Sequence, residues 1–269
     1  IYVIASYEAI PNNLQQIASC LAMTIRFTNL KLLPMFQFKQ FTVFHDKCAM
    51  KVGTDGVLLG AWANVEDANF ILDIGTGSGL IALMSAQRSN AKIIAIDIDE
   101  NAVLQATENV KNSKWNDRIE VEYIDFYDFV KSSKIKFDTI ISNPPYFKNS
   151  LKNPEPSKSI ARHDIALNYE LLISESVKIL NKNGNLSIII PARELENIEK
   201  LAIQNNFILS RKTFVKPTPA KNPIRVLLEL KFSENNCNIV ESEIVIDDGN
   251  RHSYTKEYIS LTKDFYLNF

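Results

Sequence analysis

Asp73-Ile74-Gly75-Thr76-Gly77-Ser78-Gly79 closes the apolar run Phe70–Ile74 and opens the helically spaced segment Leu80–Arg88. A strand that passes through closely spaced glycines into a helix is the opening unit of a parallel α/β sheet. The glycines let the chain turn with positive φ and let a ligand approach the backbone closely. A dinucleotide fingerprint needs G-x-G-x-x-G, but counting from Gly75 puts Leu80 where the third glycine belongs. The spacing is G-x-G-x-G, and nicotinamide or flavin binding is disfavoured.

Working outward, strand-like and helix-like segments alternate. The β-rich stretch 92–98 is followed by a helical one, 101–112, with Val103, Leu104 and Val110 on one side. Residues 119–124, Phe137–Ser142, 185–191, 207–214 and Arg225–Phe232 supply further strands, and 169–180 and 193–205 further helices. Only the loop 215–224 separates the last two strands, which predicts an antiparallel pair. The expected fold is α/β, with a seven-stranded, mostly parallel sheet.

The chain of 269 residues has a formal net charge of −1, so no global field advertises nucleic acid and any basic surface must be local. Cys20, Cys48 and Cys237 are odd in number and lack C-x-x-C spacing, which argues against a zinc site and for a reduced, cytoplasmic setting. We expect no metal. No apolar run approaches the ~18 residues of a membrane span, and the amino end lacks the order of a signal peptide. Ile1–Pro34 has no sustained period and does not begin with Met. It reads as a non-native or accessory extension, the alternative being a helix near 14–23 on the domain edge, and one domain is expected over Met35–Phe269.

Acids close three successive strands. Asp73 can face a cationic amino-acid group, Asp97 can accept from ribose hydroxyls, and Asp125 can accept from an adenine amino group with Ile98 and Phe126 sandwiching the ring. That set suits S-adenosylmethionine, with Gly75, Gly77 and Gly79 as its cradle. The bland reading, three turns with solvated acids, is disfavoured by the order in which all three occur. Downstream, Asn143-Pro144-Pro145-Tyr146 ends the run Phe137–Ser142. An Asn before Pro is pushed into extended geometry and neither proline offers an N–H, leaving an acceptor-rich edge followed by an aromatic. Asn143 Oδ1 and the Pro144 carbonyl can hold the hydrogens of an amino group on a planar ring or amide, and Tyr146 can stack on an extruded base.

In this order, Asp73 to Gly79, Asp97, Asp125 and Asn143 to Tyr146 resemble the class I S-adenosylmethionine-dependent methyltransferases that modify exocyclic or amide nitrogen. More narrowly, Phe38-Lys39-Gln40-Phe41-Thr42-Val43, the segment 51–62 and Arg162-His163-Asp164 resemble the bacterial tRNA1(Val) adenine-N6 methyltransferases, over essentially Met35–Phe269. The resemblance implies a Rossmann-like three-layer sandwich, S-adenosylmethionine as cofactor and tRNA as partner. It also favours Thr54 and Asp55 as a lid at the methionine end of the cofactor, against capping of the following helix.

One local signal points to RNA. Arg211, Lys212, Lys216, Lys221 and Arg225 occur between Phe207 and Leu228 with no acid among them, and Lys148, Lys152, Lys158 and Arg162 follow the Asn-Pro-Pro-Tyr motif. Such patches contact phosphates without a basic whole protein; the competing reading is a solvated sheet edge. His163 reads as structural or phosphate-binding rather than catalytic. The expected activity is methyl transfer to adenine N6 in tRNA. A protein glutamine-N5 methyltransferase, a DNA adenine methyltransferase and an idle RNA-binding module are the alternatives.

Overall fold

Successive residues of the central strands feed two different apolar cores, one on each face of the sheet. In β3 (Phe70–Ile74) Ile71 faces one core and Leu72 the other; in β4 (Lys92–Asp97) the same holds for Ile93 and Ile94, and in β6 (Phe137–Ser142) for Ile141 and Ile140. Both faces being buried explains why these strands read as continuous apolar runs rather than alternating ones. The first core is completed by Leu58 of α1 (Thr54–Trp62), Leu83 of α2 (Leu80–Arg88) and Val110 of α3 (Glu100–Lys111). Phe129 of α4 (Phe126–Ser132), Leu172 of α5 (Tyr169–Ile179) and Ile198 of α6 (Leu195–Gln204) complete the second. The result is a three-layer sandwich.

The computed structural model describes residues 35–144, 168–233, 238–250 and 253–269. They belong to one unit, Met35–Phe269, while the expected extension Ile1–Pro34 lies outside the described residues. The remaining strands are β5 (Ile119–Tyr123), β7 (Leu180–Pro191), β8 (Phe207–Lys216), β9 (Arg225–Phe232) and β10 (Val240–Val245), in the spatial order β10-β8-β9-β7-β6-β3-β4-β5. A separate antiparallel pair, β1 (Met35–Gln37) and β2 (Thr42–Phe44), precedes them, and α7 (Lys256–Thr262) follows. The five strands from β7 to β5 in that order run parallel, and β9 is antiparallel to both β7 and β8.

The seven expected strands form, and an eighth, β10, joins parallel to β8 at the edge. Its sequence, Val-Glu-Ser-Glu-Ile-Val, leaves its first four residues exposed, so it lacks the apolar signal of an interior strand. The chain builds β3, β4 and β5 outward in one direction, then crosses back to lay β6 against the other side of β3. Ligands bind at such a switch point, outside the carboxyl ends of the strands. Here the register pairs Ile74 with Ser142, which places the glycine turn and Asn143 side by side.

Candidate active site

The turn after β3 is stitched to its neighbour by Gly75 N–H and Thr76 N–H, which donate to the Ile96 carbonyl at 2.9 and 3.0 Å. Gly75, Gly77 and Gly79 all have positive φ, 69°, 57° and 80°, a region that side chains disfavour. They differ in surroundings. A Cβ at Gly75 or Gly77 would meet nothing within 4 Å, whereas one at Gly79 would lie 3.4 Å from the Ala106 backbone. The first two therefore border open space, and the third lets α2 approach α3.

Asp73 is buried, and its Oδ2 accepts from Thr76 Oγ1 at 2.6 Å and Ala82 N–H at 3.1 Å, bracing the turn and the first turn of α2. Oδ1 is buried without a hydrogen-bond partner among the described residues. Burial pushes this carboxyl up to about 7 against the two hydrogen bonds, with the Asp97 charge adding to the rise. Asp97 closes β4 and accepts from Gly77 N–H at 2.8 Å and Asp99 N–H at 3.0 Å. Its carboxyl is raised chiefly by burial. Asp125 caps α4, accepting from Tyr127 N–H at 2.8 Å.

A cleft of two lobes lies over the turn. The smaller, about 240 Å³, is lined by Asp97, Ile98, Asp125 and Phe126, so the structure brings those four expected residues together. The larger, about 410 Å³, is lined by Thr54, Asp55, Ser78, Leu80 and Arg225 among others. Gly75, Gly77, Met50 and Asn143 line both lobes. Asn143 thus stands at their junction. Ser142 Oγ, donating to the Ile74 carbonyl at 2.9 Å, pins the preceding residue to β3. Asp73 and Gly79 line neither lobe; Asp73 contacts the turn and α2, and Gly79 faces α3. The N-cap of α1 is Gly53 with no side-chain cap, so Thr54 and Asp55 do not cap that helix. Asp55 instead pairs with Arg225 Nε at 3.0 Å.

Sequence reasoning missed the strap that crosses this cleft. Asn109, buried on α3, donates through Nδ2 to the Phe44 and Ser78 carbonyls at 2.7 and 2.8 Å and accepts from Phe44 N–H at 2.9 Å. One turn earlier, Gln105 Oε1 accepts from Lys47 N–H at 2.9 Å. The strap then runs through Cys48, Ala49 and Met50 over the smaller lobe. Two amides four residues apart on the buried face of α3 were the available signal. Burial pushes the Cys48 thiol up to about 11, so it stays protonated near neutrality and is a poor nucleophile.

The cleft fits a cofactor of the expected kind: two glycines that open onto it, an orphaned carboxylate oxygen buried at the strand end before them, and acids flanked by apolar side chains in the smaller lobe. The methyltransferase small domain family matches residues 48–210, which span that lobe. A protein of Phocaeicola vulgatus named tRNA1(Val) (adenine(37)-N6)-methyltransferase is 53% identical over 235 residues, covering 87% of this chain and 98% of its own length. The chain belongs to the tRNA1(Val) (adenine(37)-N6)-methyltransferase family. A second member of that family, from Bacteroides fragilis, is 47% identical over the same shares of both chains. Among solved structures, a protein described as a predicted O-methyltransferase from Agrobacterium tumefaciens matches with a TM-score of 0.61 at 20% identity, over 78% of this chain and 96% of that one, and shows the fold alone.

In this member of the tRNA1(Val) (adenine(37)-N6)-methyltransferase family the expected RNA-contacting cations do not form one free patch. The stretch around Lys212 is acid-free along the chain but not across the sheet. Lys212 lies between Glu241 at 2.8 Å and Glu199 at 3.5 Å, and Lys216 pairs with Glu243 at 3.0 Å. Arg211 stacks 3.7 Å from the Trp62 ring centroid and pairs with Glu229 at 3.0 Å. The acids of β10 escaped notice because that strand did. Lys221 lies in the loop between β8 and β9, its N–H donating to the Thr218 carbonyl. Pro145, Tyr146, Lys148, Arg162 and His163 lie outside the described residues. No described helix is long and apolar enough to cross a membrane, and no cluster of three or more potential metal ligands occurs among the described residues.

Proposed function

We propose that this chain transfers a methyl group from S-adenosylmethionine to the exocyclic N6 of adenine in tRNA, the adenine at position 37 of tRNA1(Val) by the names of its relatives. The observation that carries the reading is Asn143 at the junction of the two lobes, one residue beyond the strand end that Ser142 pins to β3. Asp97, Asp125, Ile98 and Phe126 would hold the adenosyl part in the smaller lobe, with Gly75 and Gly77 beneath and Thr54 and Asp55 on the far side. The bound cofactor supplies a methyl group on a sulfonium, an excellent leaving group.

The protein's part is alignment and polarisation. The N6 lone pair of adenine is delocalised into the ring, so the nitrogen attacks only when its hydrogens are held by acceptors. Asn143 Oδ1 and the Pro144 carbonyl would accept them, and their dipoles would stabilise the positive charge that develops on nitrogen. No strong base is required before attack. Positioning of the nitrogen is the main catalytic contribution.

A side-chain amide of glutamine offers the same two hydrogens, so an Asn-Pro-Pro-Tyr edge alone does not separate RNA from protein substrates. The relatives, named for tRNA at 53 and 47% identity, favour the nucleotide. Tritium transfer from labelled S-adenosylmethionine to total tRNA, to release-factor protein and to DNA tests this. Label in tRNA alone is expected; label in either of the others without tRNA would overturn the proposal.

A further inference from the structure

Gly56 is the third residue of α1, and glycine is a poor choice there, since inside a helix only proline is less favourable. Its backbone does not call for glycine. The described glycines with positive φ are Gly75, Gly77, Gly79 and Gly249, and Gly56 is not among them. What remains is space. A Cβ at Gly56 would lie 3.0 Å from Leu80 Cδ2 and 3.9 Å from Asn143 Nδ2. The bare backbone of α1 is therefore a surface against which the Asn143 amide sits.

Little else orients that amide. Ser142 Oγ pins the residue before it to β3, but no hydrogen bond joins the Asn143 side chain to another described residue. Packing is left to set its plane. The same turn of α1 carries Thr54 and Asp55, which line the larger lobe together with Gly56 and Asn143. Gly60, one turn along α1, provides the comparison. A Cβ there would lie 2.7 Å from Met84 Sδ, and its three nearest atoms all belong to Met84, which lines neither lobe. Both glycines let α1 approach α2, and Gly56 in addition makes room for a polar group of the cleft.

We propose that Gly56 is a positioning residue for methyl transfer, acting through Asn143: the missing side chain lets the amide lie against α1 with its plane set for the attacking amino group. This role rests on the methyl-transfer reading above and adds to it the element that orients Asn143. A side chain that reaches past Cβ at position 56 fills the slot shared by Leu80 and Asn143. Displacements of about 1 Å are enough to lose a reactive alignment.

The test is a substitution series on the full chain, reading kcat and KM on tRNA and S-adenosylmethionine affinity by calorimetry. Gly56→Ala adds one methyl in contact with the amide and should lower kcat severalfold. Gly56→Val adds two further carbons in one favoured helical rotamer and should lower kcat about a hundredfold, as far as removal of the Asn143 contact itself. Both should leave the KM for tRNA and the cofactor affinity within about twofold, as sites that are not coupled do. In an Asn143→Ala background Gly56→Val should cost no more than about twofold further, because residues that act through one another are not additive. Gly60→Ala crowds the same helix pair away from Asn143, so it should lower the unfolding temperature and leave kcat at its wild-type value. Equal kcat for the wild type and Gly56→Val overturns the proposal. So does a loss that persists undiminished in the Asn143→Ala background, or one matched by an equal loss of cofactor affinity. Should Gly56→Val fail to fold, Gly56→Ala in the two backgrounds makes the same comparison. A wild-type chain that methylates no tRNA overturns the underlying reading instead.

Discussion

Asp73 is the residue through which the proposed cofactor site would respond to pH. Burial raises its carboxyl to about 7 in the folded protein from 3.8. A raised pKa means that the folded state holds the proton more tightly, so the stability contribution is full below about 3.8 and is lost as pH rises through about 7. If Asp73 serves the cofactor as proposed, the cationic amino group of S-adenosylmethionine, acting through water, would favour the ionised form. Binding of S-adenosylmethionine should therefore tighten as pH rises through 7 and release a proton. Calorimetry in two buffers of different ionisation heat would detect that proton, and Asp73→Asn should abolish both effects. A buffer-independent heat in the wild type would remove Asp73 from this role. At this scale the sequence was informative, because Asp73, Asp97, Asp125 and Asn143 each close a strand and strand ends are where α/β sheets bind ligands. Their hydrogen-bond partners were not legible, since these come from neighbouring strands and turns.

At the scale of elements, the apolar runs were readable because interior parallel strands are buried on both faces. The edge strand β10 and the strap before α1 were not. One is acidic and half solvated, and the other is held by side-chain amides rather than by a periodic pattern. Asn109→Ala should cost roughly 1–3 kcal/mol of stability, because it leaves buried backbone groups of the strap and the glycine turn unpaired. Cofactor affinity should fall as well, roughly tenfold by the ~1.4 kcal/mol per decade that relates affinity to free energy. Urea denaturation and calorimetry on the same preparation check the two effects. An Asn109→Ala variant with wild-type midpoint and cofactor affinity would show that the strap is held by other contacts.

For the whole molecule, a net charge of −1 conceals how charge is arranged across the sheet. A run of cations along β8 looks like an RNA surface in one dimension, but in three dimensions β9, β10 and α6 supply the matching acids. Lys212→Gln should accordingly lower stability, by about 0.5–2 kcal/mol for a half-shielded pair, and leave the salt slope of tRNA binding unchanged. Thermal unfolding and titrations at several salt concentrations check this; a flattened slope would return Lys212 to the RNA surface.

The most direct test of the central claim is mass spectrometry of nucleosides from tRNA1(Val) after incubation with S-adenosylmethionine and either the wild-type chain or Asn143→Ala. One N6-methyladenosine per tRNA is expected from the wild type. Turnover should be lowered by about a hundredfold in the variant, the scale on which loss of one preorganised transition-state contact acts, with cofactor affinity nearly intact. Absence of N6-methyladenosine from the wild-type reaction, or equal turnover by Asn143→Ala, would contradict it.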